Sequence, residues 1–127
     1  MKVQDLIEEA KKAQQKSYSP YSHFRVGSAL LTKDGKVFTG CNIESVSYTP
    51  SCCSERTAIF KAVSEGYKEF EAIAIIGDQP FCTPCGVCRQ VMSEFCDKDF
   101  KIYLTDGTEY KEYTLEQLLP LSFDLEK

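Results

Sequence analysis

The chain has 127 residues, 43% hydrophobic and 27% charged, with a net charge of −4 and no basic cluster. That length supports one domain (residues 1–127) with its own core, and the acidic balance argues against a nucleic-acid binder, which needs a positive face to meet phosphates. No apolar run approaches the ~18 residues needed to cross a bilayer, and acids fill the stretch Met1–Glu9 where a signal peptide needs an apolar core, so the chain is expected to be unprocessed and cytoplasmic.

In chain order, residues 2–16 read as a helix, because Val3, Leu6, Ile7, Ala10 and Ala13 follow the helical period. Ser17 to Ser22 breaks that pattern as a loop. Residues 24–32 and 37–43 read as strands joined by a tight turn at Asp34-Gly35, a pair that accepts the backbone such a turn demands. A polar loop over 45–52 leads into a helix from about 53 to 65, with Ala58, Ile59, Ala62 and Val63 as its buried stripe and Gly66 as its stop. Ala72 to Ile76 is a short continuous apolar run, as expected of a strand covered on both faces. Thr83-Pro84 predicts the next helix start, with Thr83 as N-cap and Pro84 in the first position, and Val87, Val91, Met92 and Phe95 as the inner face. Residues 101–105 and 109–113 read as strands around an Asp106-Gly107 turn. Thr114-Leu115-Glu116-Gln117 is a capping box opening a short last helix. The order αββαβαββα predicts an α/β fold, one sheet with helices packed on its faces.

Seven cysteines without a secretion signal, an odd number, disfavour a disulfide framework and favour metal or redox use. Cys85 and Cys88 stand three apart at a helix start, so both sulfurs can reach one ion, and the partial positive charge there favours thiolates. Cys53, at the start of its own helix, can supply a third sulfur. Three protein ligands would leave zinc's fourth position to water, the catalytic pattern. The alternatives are a redox pair, or a closed structural site that also uses Cys82 or Cys96. Glu55, two residues past Cys53, tips the balance to catalysis, since a carboxylate beside bound water can carry protons. Zinc with three thiolates is formally anionic, so at least one of Arg56 and Arg89 is expected to donate to a thiolate and draw off charge. The sole histidine, His23, is assigned to a surface turn, and Cys52 to a structural role.

Cys53-x-Glu55 with Pro84-Cys85-x-x-Cys88 resembles the signature of the zinc-dependent cytidine and deoxycytidylate deaminase family. The finer likeness is to its small homotetrameric members. It rests on Glu55-Arg56-Thr57-Ala58, on residues 84–90, on Tyr21 to Ala29, on Gly40-Cys41-Asn42-Ile43-Glu44, and on the ending Leu118-Leu119-Pro120-x-x-Phe123. The resemblance spans nearly the whole chain and implies a three-layer α/β/α sandwich with a mixed five-stranded sheet. It also implies one Zn²⁺ per subunit on Cys53, Cys85 and Cys88, and hydrolysis of cytidine and deoxycytidine to uridine and deoxyuridine plus ammonia in pyrimidine salvage. Zinc hydroxide would attack C4 with Glu55 as proton shuttle. Asn42 and Glu44 would bind the sugar, and Phe24 would pack on the base. Ser54 stands where the family usually has Ala, its backbone touching the pyrimidine. Tyr48 and Phe123 would reach a neighbouring subunit's site in a homotetramer. A related enzyme acting on blasticidin S, or a zinc module without catalysis, are the rival readings.

Overall fold

Alternation along one strand sets the architecture. In β3 (Phe70–Gly77), Ile73 and Ile75 point to one side of the sheet, while Ala72, Ala74 and Ile76 point to the other. Both sets are buried, so helices must cover both faces. On the first face lie α2 (Ser54–Ser64) and α3 (Gly86–Phe95), packed through Ala58, Ile59, Cys88 and Met92. On the second lies α1 (Val3–Gln14), packed through Leu6, Ile7 and Ala10. Each fully buried Ile or Leu contributes about 1.5–3 kcal/mol relative to an exposed one, which makes the central strand a main apolar contributor.

The computed structural model describes residues 1–125. Its five-stranded sheet has the order β2-β1-β3-β4-β5, with β1 (Val26–Thr32), β2 (Val37–Cys41), β4 (Lys101–Thr105) and β5 (Tyr110–Thr114) flanking β3. A one-turn helix, α4 (Leu115–Leu118), follows β5, and the expected capping box is present in full on Thr114 and Gln117. The three-layer sandwich with a mixed sheet is therefore what the chain forms. Among the described residues no helix is long and apolar enough to cross a membrane.

Strand direction places the chemistry. β1 runs antiparallel to both β2 and β3, and β3 runs parallel to β4, so β2, β3 and β4 share one direction. α2 follows the end of β2 and α3 follows the end of β3. The two helix N-termini therefore emerge at the same end of the sheet, where ligands gather in open α/β folds. Gly40 lets α2 settle there. A Cβ on Gly40 would lie 2.4 Å from the Ser54 carbonyl oxygen and 2.5 Å from Ala58 N, so a side chain would push the helix off the strand.

One expectation is corrected. α3 begins at Gly86 with Cys85 as its N-cap, two residues later than Thr83 and Pro84 predict. The Cys85 sulfur itself accepts from Cys88 N and takes over the cap. Val87 also lies off the inner face, at 58% exposure, because the buried stripe runs through the i, i+4 pair Cys88 and Met92. Val91 and Phe95 pack at the margin.

Candidate metal centre and active site

Cys53 and Cys85 are the N-cap residues of α2 and α3, both in extended backbone. Each therefore stands at the positive end of a helix dipole. Cys88 is the third helical residue of α3, the position whose side chain reaches back to the N-cap. This is why a C-x-x-C pair in this register brings two sulfurs together. Cys85 Sγ lies 3.5 Å from Cys88 Sγ and 3.7 Å from Cys53 Sγ, and all three sulfurs lie within 4.8 Å of one another.

The donor set fits zinc. A Zn–S bond of about 2.3 Å sets the sulfurs of a tetrahedral site about 3.8 Å apart, close to the two distances found. Among the described residues this trio is the one group of three or more His, Cys, Asp or Glu able to hold a metal. Cys82 and Cys96, the candidates for a fourth sulfur, lie outside it. Burial pushes the Cys96 thiol up to about 12, so it is held protonated. His23 is exposed, in a left-handed turn with φ 57°, and belongs to no such group.

The trio carries graded acidity. Cys53 is lowered to about 5, first by the hydrogen bond from Cys88 and then by Arg56 and Cys85. Cys88 moves up, because its proton bonds Cys53 and its surroundings are apolar. Arg56 donates from its terminal nitrogen to Cys53 Sγ at 3.4 Å, and its Nε is buried with no acceptor among the described residues. A full positive charge thus lies against the sulfurs.

The two arginines separate at this point. Arg56 is the third residue of α2 and reaches back to its N-cap, as Cys88 does in α3. Arg89 is the fourth residue of α3, and that position faces the residue before the cap. Arg89 Nε accordingly donates to Pro84 O at 2.9 Å, and a terminal nitrogen donates to Leu118 O at 2.8 Å. Arg56 is thus the arginine whose bond reaches a sulfur. The bonds found for Arg89 instead join the loop before Cys85 to the C-terminal segment.

Glu55 is 4% exposed and sits in the first turn of α2. Burial raises its pKa, partly offset by a hydrogen bond from Ser54. Cys53 and Cys88 both act on its carboxyl, so acid and metal ligands share one pocket. Ser54 is fully buried and its side chain turns toward the sheet, where its Oγ lies 2.6 Å from Ser28 Oγ. Sequence reasoning missed Ser28. The available signal was a lone hydroxyl in the otherwise apolar strand Val26–Leu31, which must find a partner once buried.

The remaining expected residues fall in two places: Phe24, Asn42, Glu44 and Tyr48 in the loops flanking β1 and β2, and Phe123 in the C-terminal segment beside α3. Asn42 is tied up by the chain: its Nδ2 donates to Phe24 O at 2.8 Å, and its Oδ1 accepts from Val26 N at 2.9 Å and from Ser17 Oγ. It fixes the backbone on either side of Arg25. Phe24 is half-buried, and its ring reaches the Gly77–Cys82 contact. Glu44 accepts from the backbone of Tyr21 at 3.0 Å and Ser22 at 3.1 Å, and from the Ser22 hydroxyl. Those bonds, the hydroxyl first, hold its carboxyl below the usual range. Tyr21, Ser22, Glu44, Tyr48 and Ser51 line a cavity of about 370 Å³. Tyr48 is 70% exposed with φ 64°, its ring edge-on to Tyr21. Phe123 is equally exposed, and its backbone is clasped by the Gln90 side chain, which donates to Phe123 O at 2.8 Å and accepts from Phe123 N at 3.2 Å. That clasp too was invisible in the sequence, because it links residues 33 apart.

Comparison with known proteins agrees with this geometry. Residues 1–104 match the family description "Cytidine and deoxycytidylate deaminase zinc-binding region". The chain is 48% identical over 128 residues to a cytidine deaminase of Sporosarcina psychrophila, covering 99% of this chain and 94% of that one. It is 50% identical over 129 residues to a cytidine deaminase of Halalkalibacterium halodurans, covering 99% and 97%. A crystal structure of cytidine deaminase from Burkholderia pseudomallei superposes with a TM-score of 0.93 at 46% identity, covering 97% of this chain and 100% of that one.

Proposed function

The chain belongs to the cytidine and deoxycytidylate deaminase family, and from that premise we propose that it replaces the 4-amino group of cytidine and deoxycytidine with oxygen, as one catalytic domain. The balance is nucleoside plus water to uridine or deoxyuridine plus ammonia. The observation that carries this reading is the trio Cys53, Cys85 and Cys88 with the buried Glu55 two residues past one of its members and under the influence of Cys53 and Cys88.

Zinc held by the three sulfurs supplies a Lewis acid that makes water nucleophilic at neutral pH. Everything else is work for the protein. Glu55 accepts the proton that the attacking water gives up, hands it to N3 of the ring, and then carries a proton to the amino nitrogen, which leaves as ammonia. Burial raises the pKa of this carboxyl toward the working pH, which suits a group that must both take and return a proton. Arg56 offsets the charge of three thiolates through its bond to Cys53.

Substrate binding follows from the opening. A carboxylate offers about four lone-pair sites, and Glu44 uses three of them on Tyr21 and Ser22. One remains for a ribose hydroxyl, with Asn42 beside it. A fixed negative charge there repels a phosphate, favouring a nucleoside over a nucleotide. Phe24 packs on the base, and the Ser54 backbone meets the pyrimidine edge. Tyr48 and Phe123, exposed in one chain, close the site of a neighbouring subunit in a homotetramer. The acidic surface leaves nucleic acid out of the scheme, and cytoplasmic pyrimidine salvage is the setting that fits a nucleoside substrate.

The test is ammonia release from cytidine, deoxycytidine, cytosine and blasticidin S by zinc-loaded protein, with and without a chelator. Chelator-sensitive release from the two nucleosides supports the reading. Release from blasticidin S alone, or none with zinc bound, overturns it.

A further inference from the structure

Two buried hydroxyls behind Glu55 have no part in the chemistry so far. Ser28 is fully buried on the face of β1 that meets α2. Its cross-strand neighbours are Gly40 and Ile75, neither of which has a side chain able to bond a hydroxyl. The group above it is Ser54, also fully buried, and brought down onto the sheet by the missing Cβ of Gly40. Ser28 Oγ lies 2.6 Å from Ser54 Oγ, and Ser54 Oγ donates to Glu55 Oε1 at 2.5 Å. Ser28 Oγ itself lies 3.5 Å from that same oxygen.

Donor counting fixes the direction of the chain. An ionised carboxylate only accepts, and a hydroxyl has one hydrogen to give. The Ser54 hydrogen goes to Glu55, so the hydrogen between the two serines comes from Ser28. Both hydroxyls therefore point one way, toward a single carboxylate oxygen, and each polarises the next. Packing alone does not call for this arrangement. Two alanines would fill the same buried spot without the cost of desolvating hydroxyls. What the pair adds is orientation, in a side chain with three rotatable torsions.

We propose that Ser54 and Ser28 are positioning residues that anchor Oε1 of Glu55 to the sheet, leaving the carboxylate's other oxygen as the one that carries the proton. The inference rests on the deaminase reading of Glu55. It assigns Ser54 a side-chain role separate from any backbone contact with the pyrimidine, and it brings Ser28, on a different strand, into the same function. A proton carrier must be held to within about 0.5 Å of its working position, and the serine chain reaches it from the side away from the opening.

The test combines Ser54→Ala, Ser28→Ala and the double variant, each zinc-loaded. Steady-state rates, zinc content and melting temperature are measured together. A second readout needs no turnover: the Glu55 side-chain carboxyl 13C resonance, identified by its loss in Glu55→Gln. Ser54→Ala should lower kcat about ten- to a hundredfold, the scale of one hydrogen bond to a charged group, with KM and zinc content unchanged and the carboxyl resonance shifted. Ser28→Ala should give a smaller change of the same kind, and no further loss once Ser54 is alanine. Unchanged kcat, additive losses in the double variant, or losses that track zinc content or melting temperature overturn the proposal. If the unmutated protein binds zinc but deaminates nothing, the deaminase reading fails, while the resonance still shows whether the serines hold the carboxyl.

Discussion

At the floor of the site, Cys88, Ser54, Ser28 and Glu55 are 0–4% exposed, with the two serines bonded in line to Glu55, whereas in the outer segments of the proposed rim Val46, Tyr48 and Phe123 stand 74%, 70% and 70% exposed. The floor is built by two helix starts and one strand of a single chain. The rim comes from a loop between β2 and α2 and from the C-terminal segment, and it offers apolar rings to solvent. In the proposed tetramer these rings are the ones a neighbouring subunit would cover. Under the proposed function, one chain would complete the proton-transfer machinery, while the substrate wall would wait for a second copy in the tetramer. Each variant below is a way to break or sharpen that division.

The largest effect belongs to the floor. Glu55→Gln should lower kcat by about 10³-fold or more, within or beyond the usual worth of general acid–base catalysis, while zinc content by atomic absorption stays at one per chain. Loss of zinc together with activity would make Glu55 a ligand instead of a carrier. The arginines come next and should part company. Arg56→Ala leaves the thiolates uncompensated, so zinc loss to a chelator should quicken and kcat fall about tenfold. Arg89→Ala strands the carbonyls of Pro84 and Leu118, and a buried group left unpaired costs about 1–3 kcal/mol, less where water can reach it as at the half-buried Leu118. Its expected outcome is a lower melting temperature, with zinc release within about twofold of the unmutated chain.

The rim should answer through substrate affinity. Phe123→Ala or Tyr48→Ala is expected to raise KM for cytidine about tenfold, with zinc content unchanged. Gln90→Ala, which opens the clasp on the Phe123 backbone, should do the same more weakly. A rise in KM accompanied by zinc loss would erase the division between floor and rim.

The smallest effect lies at the Arg25–Asp78 pair, which pins the backbone next to Phe24. The hydrogen bond from Arg25 holds the Asp78 carboxyl below its ordinary value. A carboxylate with a lowered folded pKa contributes stability that is present above its unfolded pKa, about 4, and is lost as pH falls through the folded value. Asp78→Asn should therefore melt slightly earlier at pH 7, and the gap to the unmutated chain should close below about pH 4. Both groups are partly exposed, so solvent and salt keep the effect small. A gap that widens in acid would reverse the assignment.

Residues close in sequence were legible, and residues that meet only in the fold were not. The ligand trio and Glu55 could be proposed because Cys53-x-Glu55 and Cys85-x-x-Cys88 are short local spacings, and the buried stripe of α2 follows from the helical period. The start of α3 was misplaced because Thr83-Pro84 has the composition of a cap, while the cap actually used is the sulfur of Cys85. Nothing in the pattern says that a thiol will take that part. The partners of Arg89 depend on where Leu118 returns, 29 residues later. Ser28 meets Ser54 only because β1 lies beneath the start of α2 and Gly40 lets the helix descend. For Arg89 and Ser28 the deciding contact is tertiary, and local propensity has no access to it.

The central claim is that three sulfurs of this chain hold zinc and leave one position for water. X-ray absorption at the zinc edge on the loaded, substrate-free protein tests it most directly. Three sulfurs at about 2.3 Å and one oxygen at about 2.0 Å are predicted; a shell of four sulfurs would contradict the account and make the site structural.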